Sequence, residues 1–219
     1  MSYKSYLTNL TYQTYITLMS YKDLKSYQQA TIIYDFTAEF CNRYVDKKSR
    51  TTDQMIQAAR SGKQNIVEGS ANKTSEKSEL FLLGVARASL SELLEDYEDY
   101  LRQHKLRQWS KDDPASHGVR VLVYKSDRSD QSDRSDQTHK SYLTYQSYMS
   151  DPESAANCAI CLINQANYLL DQQIRAAEKQ FATVGDYSDQ LKNTKYSQRL
   201  KQEQEADEWL KGFQDKSKL

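Results

Sequence analysis

The stretch from Thr51 to Ser70 constrains the fold most strongly, because its small and apolar residues repeat at helical spacing. It reads TTDQMIQAARSGKQNIVEGS, and one stripe of the predicted helix holds Met55, Ala59, Gly62, Ile66 and Gly69. A glycine inside a helix is about 1 kcal/mol less favourable than alanine, so Gly62 predicts the close approach of a neighbouring backbone. Thr51 and Gln54 predict a capping box at the start, and Gly69 predicts the end.

A second stripe of the same helix is polar and carries no charge before its last residue. It consists of Gln54, Gln57, Ser61, Gln64 and Glu68. An ordinary solvated face holds more Lys and Glu. We therefore expect either a partly buried polar surface, such as one between subunits, or an amide-rich exposed face of a bundle helix.

Arg87 belongs with this candidate interface or structural polar set, because it places a charge inside the apolar stripe of the next predicted helix. An unpaired buried guanidinium would be very costly, so we expect Glu68 to be its partner. The alternative is that Arg87 reaches water at the edge of the stripe.

Composition narrows the class of protein. Only 6 Gly and 2 Pro among 219 residues favour helices over an all-β or doubly wound α/β fold. Lys+Arg and Asp+Glu balance at 30 each, so the whole chain has no dominant attraction to nucleic acid. No apolar run approaches the roughly 18 residues of a membrane span, and no signal peptide is recognisable. Cysteines at 41, 158 and 161 do not form a secreted disulfide framework, so we expect a cytoplasmic protein.

The periodicity predicts an all-α chain with four helices, at about residues 24–46, 51–70, 75–104 and 151–185. The third has heptad-like apolar spacing from Leu80 to Leu101. The fourth opens with Asp151-Pro152-Glu153, an N-cap acid followed by proline at the first helical position, and Gly185 is expected to end it. The predicted domains are an arm at 1–21, a helical body at 22–185 and a charged tail at 186–219.

Two segments repeat with a period of three. Tyrosines stand at 3, 6, 12, 15 and 21, and the run from 126 reads SDR SDQ SDR SDQ THK SYL TYQ SYM. A period of three drifts off any helical face, so we interpret both as triplet expansions outside the core. The second segment would be an insertion in a loop at about 110–150. The apolar island Val119–Tyr124 beside it would be a lone edge strand or a remnant. The alternative is a tyrosine-rich binding arm with stacking rings.

No pattern of residues predicts catalysis. Cys158 and Cys161 form a CxxC motif, but a redox site requires a βαβ context and a zinc site requires further ligands, so we expect small buried hydrophobes. No phosphate loop, dinucleotide glycine pattern or nucleophile elbow is present. The acidic run from Glu92 to Asp99 lacks the ExxH pairs of a di-metal bundle. We expect no catalytic residue, metal, cofactor or small-molecule substrate.

A basic set spans the end of the first helix and the second helix, and it is the candidate nucleic-acid-binding surface. Its members are Arg43, Lys47, Lys48, Arg50, Arg60 and Lys63. In an antiparallel hairpin these side chains would form a ribbon able to contact phosphates. The alternative is a solvated face, since Asp46 and Asp53 dilute the charge.

Several motifs resemble one known family. They are Tyr34-Asp-Phe36 with Phe40-Cys41, Arg50-Thr-Thr-Asp-Gln-Met55, Gln57-Ala-Ala-Arg-Ser-Gly-Lys-Gln-Asn-Ile66, Glu68-Gly-Ser70, Ala86-Arg-Ala-Ser-Leu90, Glu92-Leu-Leu-Glu-Asp-Tyr97 and Asn164-Gln-Ala-Asn-Tyr-Leu-Leu-Asp171. Over roughly 22–110 and 151–191 the chain resembles the four-helix bundle family known as the ribosomal RNA intervening-sequence protein, in particular its longer bacterial members with a C-terminal suffix. The family has two glycines where this chain has Gly185-Asp186, and it lacks the insertion and the tyrosine-rich head.

The resemblance implies an antiparallel, up-and-down four-helix bundle that assembles into a ring, typically a homopentamer. Related bundles are accessory factors of diversity-generating retroelements, which bind a reverse transcriptase and nucleic acid through a basic surface. We therefore expect a non-enzymatic, self-assembling bundle that binds nucleic acid or a nucleoprotein partner such as a reverse-transcriptase-like protein. The alternative is a protein-only oligomeric scaffold or adaptor, which would bind through the tail with Trp209 and Phe213.

Overall fold

The computed structural model of the chain describes residues 20–71, 76–126, 144–184, 191–192 and 194–205. The described part is all-α, as predicted, and no β-strand occurs in these ranges. Its helices are α1 (Lys25–Tyr44), α2 (Arg50–Ala71), α3 (Glu76–Gln103), α4 (Pro114–Ser126) and α5 (Pro152–Val184). Short 3-10 turns at Tyr21–Asp23 and Gln146–Ser150 precede α1 and α5.

Four of these helices surround one hydrophobic core. α1 packs on α2 and α5, and α3 packs on the same two helices from the opposite side. Tyr97, fully buried at the centre, donates its hydroxyl to Oγ1 of Thr37 at 3.1 Å, so a residue of α3 is joined to a residue of α1 across the core. Other large, fully buried side chains include Phe36, Phe40, Ile33, Met55, Ile66, Leu83, Leu90, Leu93, Leu101, Tyr145, Met149, Leu162, Ile163 and Leu170.

Individual contacts fix which parts of neighbouring helices meet. Between α1 and α2, Sγ of Cys41 lies 3.9 Å from Sδ of Met55. Between α1 and α5, Ser26 Oγ donates to Oε1 of Gln173 at 2.7 Å. Gln29, three residues further along α1, donates to the carbonyl of Leu162, eleven residues earlier in α5, at 3.3 Å. Residue numbers therefore rise along α1 as they fall along α5.

The predicted stripe of α2 is buried along its whole length, from Met55 to Gly69. A Cβ built on Gly62 would lie 2.8 Å from Cδ2 of Leu90, whereas the nearest backbone atom is 3.6 Å away. That atom is the carbonyl oxygen of Ala86 on α3, so the expected backbone approach is present at Gly62, and the Leu90 side chain comes closer still. The backbone of α3 comes equally close at Gly69, where a Cβ would lie 3.6 Å from the carbonyl oxygen of Glu79.

The ends of α2 differ from the prediction. The helix begins at Arg50, and Oγ of Ser49 accepts a hydrogen bond from the Thr51 N–H at 3.2 Å. Ser49 thus takes the capping place that we expected for Thr51. At the other end Gly69 lies inside the helix, which continues to Ala71. Gly69 serves helix packing and not helix termination.

The apolar island near the insertion is helical. Val119–Tyr124 lies inside α4, so of the two interpretations the lone edge strand is wrong. Asp113 Oδ1 accepts from the Ala115 N–H at 2.9 Å, and Pro114 occupies the first helical position. The same Asp-Pro pair starts α5, where Oδ1 of Asp151 accepts from the Ser154 N–H at 2.8 Å, as predicted. Gly185, the expected end of α5, lies outside the described residues.

The connection from α3 to α4 is held against α5 by one buried amide. Asn157 accepts from the Trp109 N–H at 2.7 Å and donates to the carbonyl of Arg107 at 2.8 Å. Tyr148 lies against the same connection, with its ring centroid 6.3 Å from that of Trp109. The linker between the helices is therefore a fixed part of the structure.

The end of the second triplet repeat belongs to the core, contrary to the sequence prediction. Tyr145 and Met149, in the triplets TYQ and SYM, are 2% and 1% exposed. The remaining triplets of that repeat, at 127–143, lie outside the described residues, as does the arm at 1–19. Tyr21, the last tyrosine of the N-terminal series, packs edge-on against Tyr27 with ring centroids 5.1 Å apart. In the tail, residues 194–205 are helical and exposed, whereas Trp209 and Phe213 lie outside the described residues.

Candidate functional site

The basic set is built around the turn between α1 and α2. Asp46 shapes this turn, because its carbonyl accepts from the Ser49 N–H at 2.9 Å and its Oδ1 accepts from the Lys48 N–H at 2.9 Å. Lys47, Lys48 and Arg50 project outward and are exposed. None of these three has an ion-pair partner among the described residues. We call Lys47, Lys48, Arg50 and Arg60 the basic edge, since Arg60 is also exposed and unpaired within the same ranges.

Arg43 is placed differently from the basic edge. It forms an ion pair with Glu39 one turn earlier in α1, and its Nη1 donates to the carbonyl of Met149 at 3.1 Å. Its guanidinium therefore holds the 3-10 turn before α5 against α1. This contact makes Arg43 a structural residue, although part of its side chain remains exposed.

Lys63 is also engaged within the chain. Its Nζ lies 4.1 Å from the centroid of the Tyr34 ring, which is the geometry of a cation–π contact between α2 and α1. Lys63 is half-buried, whereas Arg60 three residues earlier is exposed. Of the two cations expected on this part of α2, Arg60 is thus the more accessible.

The amide stripe of α2 is open for most of its length. Gln54, Gln57 and Glu68 are exposed and Gln64 is half-buried. Ser61 is different, because its Oγ lies 3.0 Å from Oγ of Ser89 on α3 and 3.2 Å from the amide nitrogen of Asn65. Ser61 therefore contributes to packing between α2 and α3. The three glutamines remain a polar surface on one side of a single subunit, which we call the amide face.

The predicted pair between Arg87 and Glu68 is wrong. Arg87 Nε instead donates to Oδ1 of Asp171 on α5 at 2.5 Å. The Arg87 side chain is 47% exposed, so the alternative that it reaches water at the edge of the stripe describes it better. Because water solvates the exposed part of the Arg87 guanidinium, Arg87 does not need a buried partner. The carboxylate that it contacts belongs to the neighbouring helix α5.

The three thiols are poor nucleophiles and poor metal ligands in this setting. Burial raises the pKa of Cys41 to about 12, with the negative charge of Asp96 adding to the effect. Burial also raises the pKa of Cys158 well above its ordinary value. It raises the pKa of Cys161 as well, although a hydrogen bond with Ser116 acts in the opposite direction. Because the thiolate is the reactive form, the raised pKa values disfavour reaction of these thiols at neutral pH. No cluster of three or more His, Cys, Asp or Glu side chains that could hold a metal ion occurs within the described ranges.

The acidic run on α3 and the two described histidines have the following surroundings. Burial and the neighbouring carboxylates of Asp99, Glu92 and Glu95 raise the pKa of Asp96. His104 stacks on Tyr100 with ring centroids 4.1 Å apart, and its Nδ1 lies 2.8 Å from the Tyr100 carbonyl. His117 is exposed on α4, and His139 lies outside the described residues.

Among the helices that the structure describes, none combines the length and the apolar character needed to cross a membrane. The chain matches no protein-family model, no curated protein and no solved structure. The basic edge and the amide face therefore have to be interpreted from their own chemistry.

Proposed function

We propose that this chain is a non-enzymatic, self-assembling bundle that binds nucleic acid or a nucleoprotein partner through the basic edge. The proposal includes an antiparallel, up-and-down four-helix arrangement of α1, α2, α3 and α5. In its support, each of these four helices packs on two of the others. Residue numbers also run in opposite directions where α1 meets α5 and the turn before it, since Ser26 contacts Gln173 and Tyr44 contacts Met149. Short links between successive helices are typical of that topology.

One observation carries the binding proposal: the basic edge consists of exposed cations without carboxylate partners among the described residues. Two other exposed arginines are neutralised nearby, since Arg102 pairs with Asp99 and Arg107 pairs with Asp113. A cation that is exposed and unpaired can neutralise a phosphate and release its counterion without first breaking an internal contact. Lys47, Lys48, Arg50 and Arg60 meet that condition.

The basic edge has the length of a short nucleic-acid contact. Arg50 and Arg60 are ten residues apart in α2, which corresponds to about 15 Å along the helix at about 1.5 Å per residue. Successive phosphates of one strand are about 3.4 Å apart along a duplex, so the two arginines span roughly four steps. Asp46 and Asp53 lie among these cations, so we expect moderate, strongly salt-dependent affinity.

The test is a binding titration by fluorescence anisotropy with nuclease-treated protein and labelled random-sequence RNA and DNA strands. We expect log K to fall linearly with log salt concentration, with a slope reduced by about 2 to 3 in the variant Lys47→Glu/Lys48→Glu/Arg60→Glu. The control variant Arg175→Glu/Lys195→Glu/Lys201→Glu changes the net charge equally at exposed positions elsewhere. It should keep the wild-type slope.

A protein-only scaffold is the second candidate, and the zero net charge of the chain favours it. Binding to neither strand at low salt, or equal losses in the two triple variants, would reject the basic edge and leave the scaffold. Affinity for a protein partner would then vary little with salt, since an apolar interface is insensitive to screening.

Self-assembly is the other part of the proposal, with the amide face as the candidate interface and a ring of five as the number that the family resemblance suggests. Light scattering before and after nuclease and high-salt washing measures the mass of the protein alone. A ring that loses nuclease-sensitive material would support the nucleoprotein hypothesis. A monomer at all concentrations would reject self-assembly.

A further inference from the structure

A second helical face lies open, on the outer side of α3. Its residues alternate at intervals of four and three, which is the spacing of a seam between two packed helices. They are exposed, except for one half-buried serine: Lys77, Phe81, Gly84, Ala88, Ser91 and Glu95. We call this set the α3 seam.

The α3 seam combines an exposed aromatic ring with an unexplained glycine. Phe81 is 69% exposed, the largest exposure among the large hydrophobic side chains of the described residues. A Cβ added at Gly84 would meet no atom of the described residues within 4 Å, whereas a Cβ at Gly62, Gly69 or Gly118 would touch another part of the chain. Glycine in a helix interior is destabilising relative to alanine. Packing among the described residues of one subunit therefore gives no reason for glycine at position 84.

The seam is complementary to itself when it is reversed. Position 86 is its midpoint, because 77 and 95, 81 and 91, and 84 and 88 are equally far from it. Reversal places Lys77 opposite Glu95, the large Phe81 opposite the small Ser91, and Gly84 opposite Ala88. Opposite charges therefore meet at both ends, and small residues meet in the middle.

We propose that α3 pairs with α3 of a second copy of this chain, antiparallel, about a two-fold axis at the level of residue 86. Gly84 and Ala88 let the two helix backbones approach closely, and each Phe81 ring covers the small side chains of the other copy. Each Lys77 meets the Glu95 of the other copy. A two-fold interface uses the same patch on both subunits. The α3 seam suits such an interface, because its residues complement those of an identical seam that runs in the opposite direction.

The electrostatics of α3 support the same partner. Glu92, Glu95, Asp96 and Asp99 concentrate negative charge in its second half, and their repulsion contributes to the raised pKa of Asp96. Lys77 lies in the first half, where its Nζ is 5.9 Å from the Phe181 ring centroid, at the outer limit of a cation–π contact. An antiparallel copy brings a cation to the acidic half of each helix.

This pairing is independent of the basic edge and of the amide face. If the amide face forms a ring, pairing through α3 joins two rings, so the number of subunits is even in either case. Loss of pairing would leave nucleic-acid binding by one subunit unchanged. Failure of the pairing can therefore be distinguished from failure of the proposed function.

The test is a charge exchange measured by sedimentation equilibrium with purified, nuclease-treated protein. We expect Lys77→Glu and Glu95→Lys each to weaken the two-fold association at least about tenfold, and the double variant to recover most of that loss. Gly84→Leu should abolish pairing, while helix content and the unfolding temperature stay at or above those of wild type, because its side chain enters open space in one subunit. Arg175→Glu on α5 is the charge control and should leave the association unchanged.

Three results would overturn the pairing. They are an odd number of subunits in the wild type, an unchanged mass in Gly84→Leu, and a double variant that associates as weakly as the single ones. The last result separates a specific Lys77–Glu95 register from a general effect of net charge.

Discussion

The hydroxyl of Tyr44 donates a hydrogen bond to the backbone carbonyl of Met149 at 2.7 Å. Nη1 of Arg43 donates to the same carbonyl at 3.1 Å. Met149 itself is 1% exposed. The last triplet of the second repeat is thus fixed by its backbone to the end of α1 and by its side chain to the core.

Truncation of this anchor should destabilise the protein. We expect Met149→Ala to lower the free energy of unfolding by about 2 to 4 kcal/mol, because it removes a fully buried side chain and leaves a cavity. Gln146→Ala, an exposed change in the same 3-10 turn, should stay within about 0.5 kcal/mol of wild type. Urea unfolding followed by circular dichroism measures both. Equal stabilities for the two variants would show that Met149 is not part of the folded core.

Gly62 should tolerate alanine poorly. The new Cβ would lie 2.8 Å from Cδ2 and 2.9 Å from Cγ of Leu90, which is fully buried and has to move. Overpacking costs about 1 to 3 kcal/mol and the better helix propensity of alanine returns up to about 1, so we expect a net loss of about 1 kcal/mol. Gly69→Ala, with its nearest contact at an ordinary 3.5 Å, should be neutral or slightly stabilising. A Gly62→Ala protein more stable than Gly69→Ala would contradict the assigned contact.

The ion pair between Arg87 and Asp171 should contribute little. Both side chains are substantially exposed, at 47% and 37%, so solvent screens the attraction. A double-mutant cycle with Arg87→Gln and Asp171→Asn should give a coupling energy of about 0.2 to 1 kcal/mol. Glu68→Gln should change stability by less than about 0.5 kcal/mol. A coupling energy near zero between Arg87 and Asp171, with a measurable one between Arg87 and Glu68, would reverse the assignment.

The cap of α5 should make stability depend on pH. The hydrogen bond from the Ser154 backbone is the main cause that lowers the pKa of Asp151 below its ordinary value of 3.8. A lowered native pKa stabilises the fold above the unfolded pKa, and this contribution disappears as the pH falls through the native value.

We therefore expect Asp151→Ala to cost about 1 kcal/mol at neutral pH, with the gap to wild type narrowing below about pH 4. Asp151→Asn keeps the accepting oxygen without the charge, so its gap to wild type should be smaller and should also narrow at low pH, whereas the difference between the two variants should not vary with the ionisation of residue 151. Urea unfolding at a series of pH values provides the comparison. A gap for Asp151→Ala that widens towards low pH would contradict the lowered pKa.

The sequence predicted those parts of the fold that depend on local signals. Burial of the stripe from Met55 to Gly69 follows from helical periodicity, and the start of α5 follows from Asp151-Pro152. The start of α4 carries the same signal in Asp113-Pro114, but the apolar island after it is interpreted from the sequence as either a lone edge strand or a remnant. Both prolines of the chain follow an aspartate and occupy the first position of a helix. That pair was the more reliable signal, because proline fixes its own backbone whereas a short apolar run does not distinguish helix from strand.

Other features depend on distant parts of the chain and could not be found in the same way. The partner of Arg87 is set by which turn of α5 lies beside α3, and nothing near Arg87 in the sequence specifies Asp171. Burial of Tyr145 and Met149 was hidden by their membership of a triplet repeat, which suggested that the whole segment was uniform. Within the basic set, only the structure separates Arg43 and Lys63, which have contacts inside the subunit, from the exposed basic edge.

The hydroxyl of Tyr97 has one further consequence, for how the helices find their alignment. If α1 slid by one turn against α3, Ile33 or Cys41 would replace Thr37 as the neighbour of that hydroxyl. Isoleucine offers no acceptor and a thiol only a weak one. A buried hydroxyl without a partner costs about 1 to 3 kcal/mol, whereas apolar side chains tolerate many similar alignments. The contact between Thr37 and Tyr97 therefore favours the observed alignment of α1 and α3 over alignments shifted by one turn. A measurement of its modest contribution to total stability would not reveal this role.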